Sequence, residues 1–106
     1  MTVSTRPSDD GSEMTIRVTG RFDFNVHRDL RQAYEGAGRR YSNYVIDLAN
    51  TSYMDSSALG MLLQLRAYAG NSAQSVKIVN ASPSLLQILK VANFDKLMTI
   101  ESREAS

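Results

Sequence analysis

The sequence predicts an α/β domain on a mostly parallel sheet. Three observations carry this expectation. Short β-branched runs alternate with stretches of helical periodicity, in the order β-β-α-β-α-β-α-β. The run Tyr44-Val45-Ile46-Asp47-Leu48 is apolar except for Asp47, which suits a central strand covered on both faces. A chain of 106 residues, 1–106, fits one domain with one modest core.

Each element has its own signal. Met14 to Thr19 alternates strictly and is rich in β-branched residues, hence a half-buried strand. The turn cluster Ser8-Asp9-Asp10-Gly11-Ser12 precedes it, so Thr2 to Arg6 pairs back as an edge strand. Gly20 ends the second strand. Asp23 or Asn25 then caps a helix to about Arg39, with Val26, Leu30, Ala33 and Ala37 at helical spacing. After the central strand, Asn50 to Asp55 reads as a loop, and a helix follows from about Ser57 to Ala69, stopped by Gly70-Asn71. Val76 to Val79 is the next strand. Ser82-Pro83 starts a helix to about Ala92, with serine at the cap and proline at its first position. Leu97 to Ile100 forms the last strand.

Composition excludes several functions. Twelve Lys and Arg against eleven Asp and Glu leave a formal charge of +1, too little to draw nucleic acid or an anionic membrane. The pair Arg39-Arg40 is a solvated helix end. The absence of cysteine rules out disulfides, thiolate metal sites and a cysteine nucleophile. The lone histidine, His27, reads as a helix-surface residue, and no metal or cofactor is expected. No phosphate-cradling glycine loop, nucleophile elbow or acid–base cluster is present, so the chain does not read as an enzyme. Met1 to Asp10 lacks the apolar core of a signal peptide, and no apolar run approaches the ~18 residues of a membrane span. A cytoplasmic domain without membrane insertion is the expectation.

The informative stretch is Val45 to Gly60, where a strand runs through a polar segment into a helix opened by Asp55-Ser56-Ser57. Helix N-termini carry unpaired N–H groups and partial positive charge, so a phosphate on a hydroxyl there is tolerated. The residues alone leave a second reading open: Asp55 or Ser56 as an ordinary N-cap.

At the strand-to-helix junction the chain reads Met54-Asp55-Ser56-Ser57-Ala58-Leu59-Gly60. By this run the sequence resembles the STAS family, and among its members the stand-alone bacterial anti-sigma-factor antagonists, whose Met-Asp-Ser-Ser-Gly-Leu-Gly it follows with Ala58 as the one change. Gly20-Arg21-Phe22-Asp23, Asn80-Ala81-Ser82-Pro83 and Phe94-Asp95-Lys96-Leu97 are also similar to family segments. The resemblance covers a core of about residues 12 to 101 and implies a mixed, mostly parallel sheet of four or five strands with helices mainly on one face, and phosphorylation of Ser56 by a partner. That partner is an anti-sigma factor acting as a serine kinase with a histidine-kinase-like ATP fold. A PP2C-type phosphatase reverses the modification, and phosphorylation releases the partner. Asp55, Ser57 and Asp23 carry over as flanking, partner-binding residues, Asp23 from an adjacent loop at the same end of the sheet. Ala58 stiffens the first helical turn. A rival within the family is a constitutive subunit of a transporter complex that needs no phosphorylation.

The helix after Ser56 is apolar around most of its circumference. Leu59, Leu62 and Leu63 are expected in the core; Met61, Leu65 and Tyr68, with Ala58, would form a partner-binding face beside Ser56. The alternative is that Met61 and Tyr68 pack under a neighbouring helix.

Overall fold

Five strands build the main sheet in the order β1-β2-β4-β6-β7 of a computed structural model that describes residues 2–38, 40–72 and 74–102. β1 (Val3–Pro7) runs antiparallel to β2 (Glu13–Val18), with Val3 opposite Val18 and Pro7 opposite Met14. β4 (Asn43–Asp47), β6 (Val76–Ala81) and β7 (Thr99–Ser102) follow in parallel. The hairpin turn is organised by Asp10, whose Oδ1 accepts from the Ser8 and Ser12 hydroxyls and from the Ser12 N–H. The Ser12 N–H and the two hydroxyls bring the Asp10 pKa down to about 2.

Three helices pack on one face: α1 (His27–Glu35), α2 (Ser56–Tyr68) and α3 (Pro83–Val91). The core lies between, with Met14, Ile16, Val18, Tyr44, Ile46, Leu48 and Ile78 meeting Leu30, Tyr34, Leu62, Leu65, Leu85 and Leu89. Period-two alternation in β2 delivers these residues to the helical side and Thr15 and Arg17 to the other.

Several expected boundaries move. Asp23 caps a short 3-10 turn, Phe24–Val26, its Oδ1 accepting from the Asn25 N–H at 3.0 Å; α1 proper begins after it. α1 also ends at Glu35, short of the expected Arg39, because the chain leaves the helix at Gly36 and turns through Gly38 at φ +82°. Arg39 lies outside the described residues. Asn50 to Asp55 is not simply a loop. β5 (Thr51–Met54) forms there and pairs in parallel with a short strand missed in sequence, β3 (Gly20–Phe22). Gly20, at φ +84°, lets the chain turn off β2, and its N–H bonds the Asn50 carbonyl. Thr51 Oγ1 donates to the Val18 carbonyl at 2.6 Å, tying this ribbon to the main sheet. The last strand starts two residues late because Phe94–Lys96 winds into a 3-10 turn first.

β4 is buried on both sides, but only one side by helices. On the open face Arg17 and Lys77 flank it, and Asp47 sits 6% exposed. Asp47 Oδ1 accepts from Asn80 Nδ2 at 3.0 Å and from the Ala49 N–H at 2.9 Å, while Arg17 Nη2 donates to Oδ2 at 3.2 Å. One carboxylate thus joins β2, β6 and the turn into β5. Burial pushes its pKa up, but the Asn80 and Ala49 bonds, then Arg17, outweigh it and hold the group below 3.8.

A folded pKa below the unfolded one means stability present at neutral pH and lost as pH falls through the folded value. Asp47→Ala is expected to cost about 2–4 kcal/mol at pH 7, since four hydrogen bonds to the carboxylate, two of them from Arg17, go with it. Arg17 is half exposed, so little of that comes from the ion pair itself. Urea melts at pH 7 and in acid below 3.8 check this: the gap between variant and wild type narrows in acid. An unchanged gap would mean the charge plays no part.

Candidate functional site

β3 and β5 position the site. Phe22 pairs with Met54, and both are buried, so Asp23 and Asp55 leave neighbouring strands at the same end. Asp55 has extended backbone, φ −127°, and caps α2. Its Oδ1 accepts from the Ser57 N–H at 3.0 Å, the Ala58 N–H at 3.3 Å and the Ser57 hydroxyl at 2.6 Å. The Ser57 hydroxyl foremost, then the two N–H groups and the nearby Arg21 guanidinium, hold the Asp55 carboxyl below its ordinary value. Arg21 in turn lies over the Tyr53 ring at 4.0 Å and donates to Asp23 Oδ2 at 3.3 Å. Ser56 is the first residue of α2. It is exposed, and its hydroxyl makes no hydrogen bond among the described residues.

The rotation of α2 differs from the expected one. With Ser56 outward, the residues half a helical circuit away must face the sheet. These are Ala58, Met61, Leu62 and Leu65, at most 5% exposed. The partner-binding assignment of Ala58, Met61 and Leu65 is therefore overturned: they are core. Tyr68 is half buried against Tyr34, ring centroids 5.0 Å apart, with the Arg40 guanidinium over the Tyr68 ring at 4.4 Å from its centroid. It sits at the far end of α2 from Ser56. Of the three leucines expected inside, only Leu62 is fully so; Leu59 is half buried and Leu63 is 42% exposed.

The outward line of α2 is thus Ser56, Leu59 and Leu63. Beside it Ile88 and Val91 of α3, with Met54 and Ala92, line a shallow apolar groove that ends at Asp55 and Ser56. Val91 is 74% exposed. Sequence reading missed this groove. The available signal was in α3, where Leu85, Leu86, Ile88, Leu89 and Val91 are too many apolar residues for one buried stripe. His27, at the start of α1, is half buried and stacks on the exposed Phe24 ring at 4.8 Å. Among the described residues no cluster of His, Asp and Glu could hold a metal, and no helix is long and apolar enough to cross a membrane.

A family model described as Mlab, STAS domain matches residues 5–100. A STAS-domain containing protein of Pseudomonas aeruginosa (strain UCBPP-PA14) is 47% identical over 100 residues, 94% of this chain and 99% of the relative. The anti-sigma F factor antagonist of Paenibacillus polymyxa is 23% identical over 95 residues, covering 88% of this chain and 81% of that one. Among solved structures, the anti-sigma factor antagonist SpoIIAA in its unphosphorylated form superposes with a TM-score of 0.66 at 18% identity, over 92% of this chain and 86% of its own. That likeness is one of fold: a mixed five-stranded sheet with three helices on one face.

Proposed function

The chain belongs to the STAS domain family, and from that premise we propose that it is a phosphorylation-controlled partner-switching regulator of the cytoplasm, an anti-sigma-factor antagonist without catalytic activity. Unphosphorylated, it binds an anti-sigma factor that is also a serine kinase with a histidine-kinase-like ATP fold. Phosphorylated on Ser56, it lets go, and a PP2C-type phosphatase resets it.

One observation carries the reading. Ser56 presents a free hydroxyl at the rim of an apolar groove, on a helix N-terminus. Apolar surface left exposed marks a protein-binding face. A phosphoserine there adds about −1.5 to −2 charges, which a docked partner would have to desolvate. A loss of ~3 kcal/mol weakens binding more than a hundredfold. Neither the core nor the sheet has to move for this. The release is local.

Incubation of the purified chain with its kinase and ATP, followed by mass spectrometry, tests the proposal. A single phosphate on Ser56 is expected, and Ser56→Ala is expected to take none. Full phosphorylation of Ser56→Ala would move the switch elsewhere.

A further inference from the structure

Two hydroxyls stand side by side where α2 begins, and they are not equivalent. Ser56 is exposed and unbonded among the described residues. Ser57 is half buried, and its Oγ donates to Asp55 Oδ1 at 2.6 Å. Capping requires only that Asp55 accept backbone N–H groups, which it does at Ser57 and Ala58. The bond to the Ser57 hydroxyl is additional. Resting on the phosphoswitch reading above, we propose that Asp55 is the specificity-determining residue of the site: by holding the Ser57 hydroxyl it confines phosphorylation to Ser56.

The chemistry makes the difference. In the transfer, a serine Oγ bonds to the γ-phosphorus of a nucleoside triphosphate. The bond from that phosphorus to its bridging oxygen breaks, and the diphosphate leaves with the electron pair. The hydroxyl proton passes to a base on the kinase. Ser56 meets no obstacle to this beyond a side-chain rotation. Ser57 would have to bring an anionic γ-phosphate onto an oxygen 2.6 Å from a carboxylate. The two negative groups repel at that range, and leaving the carboxylate breaks a charge-assisted hydrogen bond. Asp55 is ionised at neutral pH like any ordinary aspartate, and the same bonds lower its pKa further, so the hold persists under working conditions.

The test is phosphosite mapping of the full chain isolated from its native host, as wild type, Asp55→Gly and Asp55→Asn. Glycine is tolerated at an N-cap at little cost but cannot hold Ser57; asparagine keeps an accepting Oδ1. Wild type is expected to carry phosphate on Ser56 alone, and Asp55→Asn, which keeps a hydrogen bond to Ser57 but not the charge, to show a Ser57 share between wild type and Asp55→Gly. In Asp55→Gly the Ser57 share should rise about tenfold or more, the factor one lost charge-assisted hydrogen bond corresponds to. Ser56→Ala is expected to carry none, and Ser56→Ala with Asp55→Gly to carry it on Ser57. Asp55→Gly modified on Ser56 alone would overturn the assignment while the switch stands. So would Asp55→Gly left unmodified, since Asp55 would then be a recognition element for the kinase. Wild type without phosphate on either serine would overturn the switch reading and this assignment with it.

Discussion

Leu62→Ala is expected to lower the unfolding free energy by about 2–5 kcal/mol, the range for a leucine removed from a core that cannot close over the gap. Leu62 is fully buried between α2 and the sheet. Met61→Gln should cost about 2–4 kcal/mol, because it keeps the volume but buries an amide without partners. Leu63→Gln is the control: on the outward line it should stay within ~0.5 kcal/mol. Denaturant melts on the three variants decide the rotation of α2 directly. If Leu63→Gln were as damaging as Met61→Gln, the helix would face the sheet with its other side, and the groove beside Ser56 would not exist.

Phosphate on Ser56 is expected to weaken partner binding by more than about a hundredfold, with the fold intact. Ser56→Asp should act in the same direction and by less, since it adds one charge. Its thermal stability should match wild type or rise slightly, because a negative side chain in the first turn suits the helix dipole. Titration calorimetry against the partner, with melts on the same samples, separates the two quantities. A Ser56→Asp chain that binds normally but melts early would make Ser56 a structural residue, and the switch would lose its physical basis.

How much of this was legible in the sequence depends on how local each signal is. The alternation of Met14 to Thr19 and the Ser82-Pro83 start are fixed by a few neighbouring residues, and both stand in the structure. The mixed five-stranded sheet with helices on one face likewise matches expectation. β3 and β5 were not legible. They are three and four residues long, they pair only with each other, and they exist because Gly20 turns the chain and Thr51 reaches back to Val18. The phase of α2 was not legible either, for the opposite reason. Too many of its positions are apolar, so periodicity cannot choose a face. What chooses is Asp55, which fixes where the first turn begins, and the sheet beneath Ala58, Met61, Leu62 and Leu65. Ser56 was placed at the N-terminal end of that helix, which begins there, one residue before the expected start at about Ser57, and its neighbours were assigned to the wrong side.

The tyrosines of this chain form an optical instrument. There is no tryptophan, so intrinsic ultraviolet emission comes from five tyrosines alone. Tyr34, Tyr41, Tyr44 and Tyr68 touch one another at the end of α2 remote from Ser56, about 18 Å along the helix axis. Tyr53 is separate, lying under Arg21 on the strand that leads to Asp55. A Tyr53→Phe chain therefore emits only from the remote cluster and reports melting without interference from the switch. The spectrum that distinguishes it from wild type belongs to one fluorophore, and that fluorophore stands three residues from Ser56.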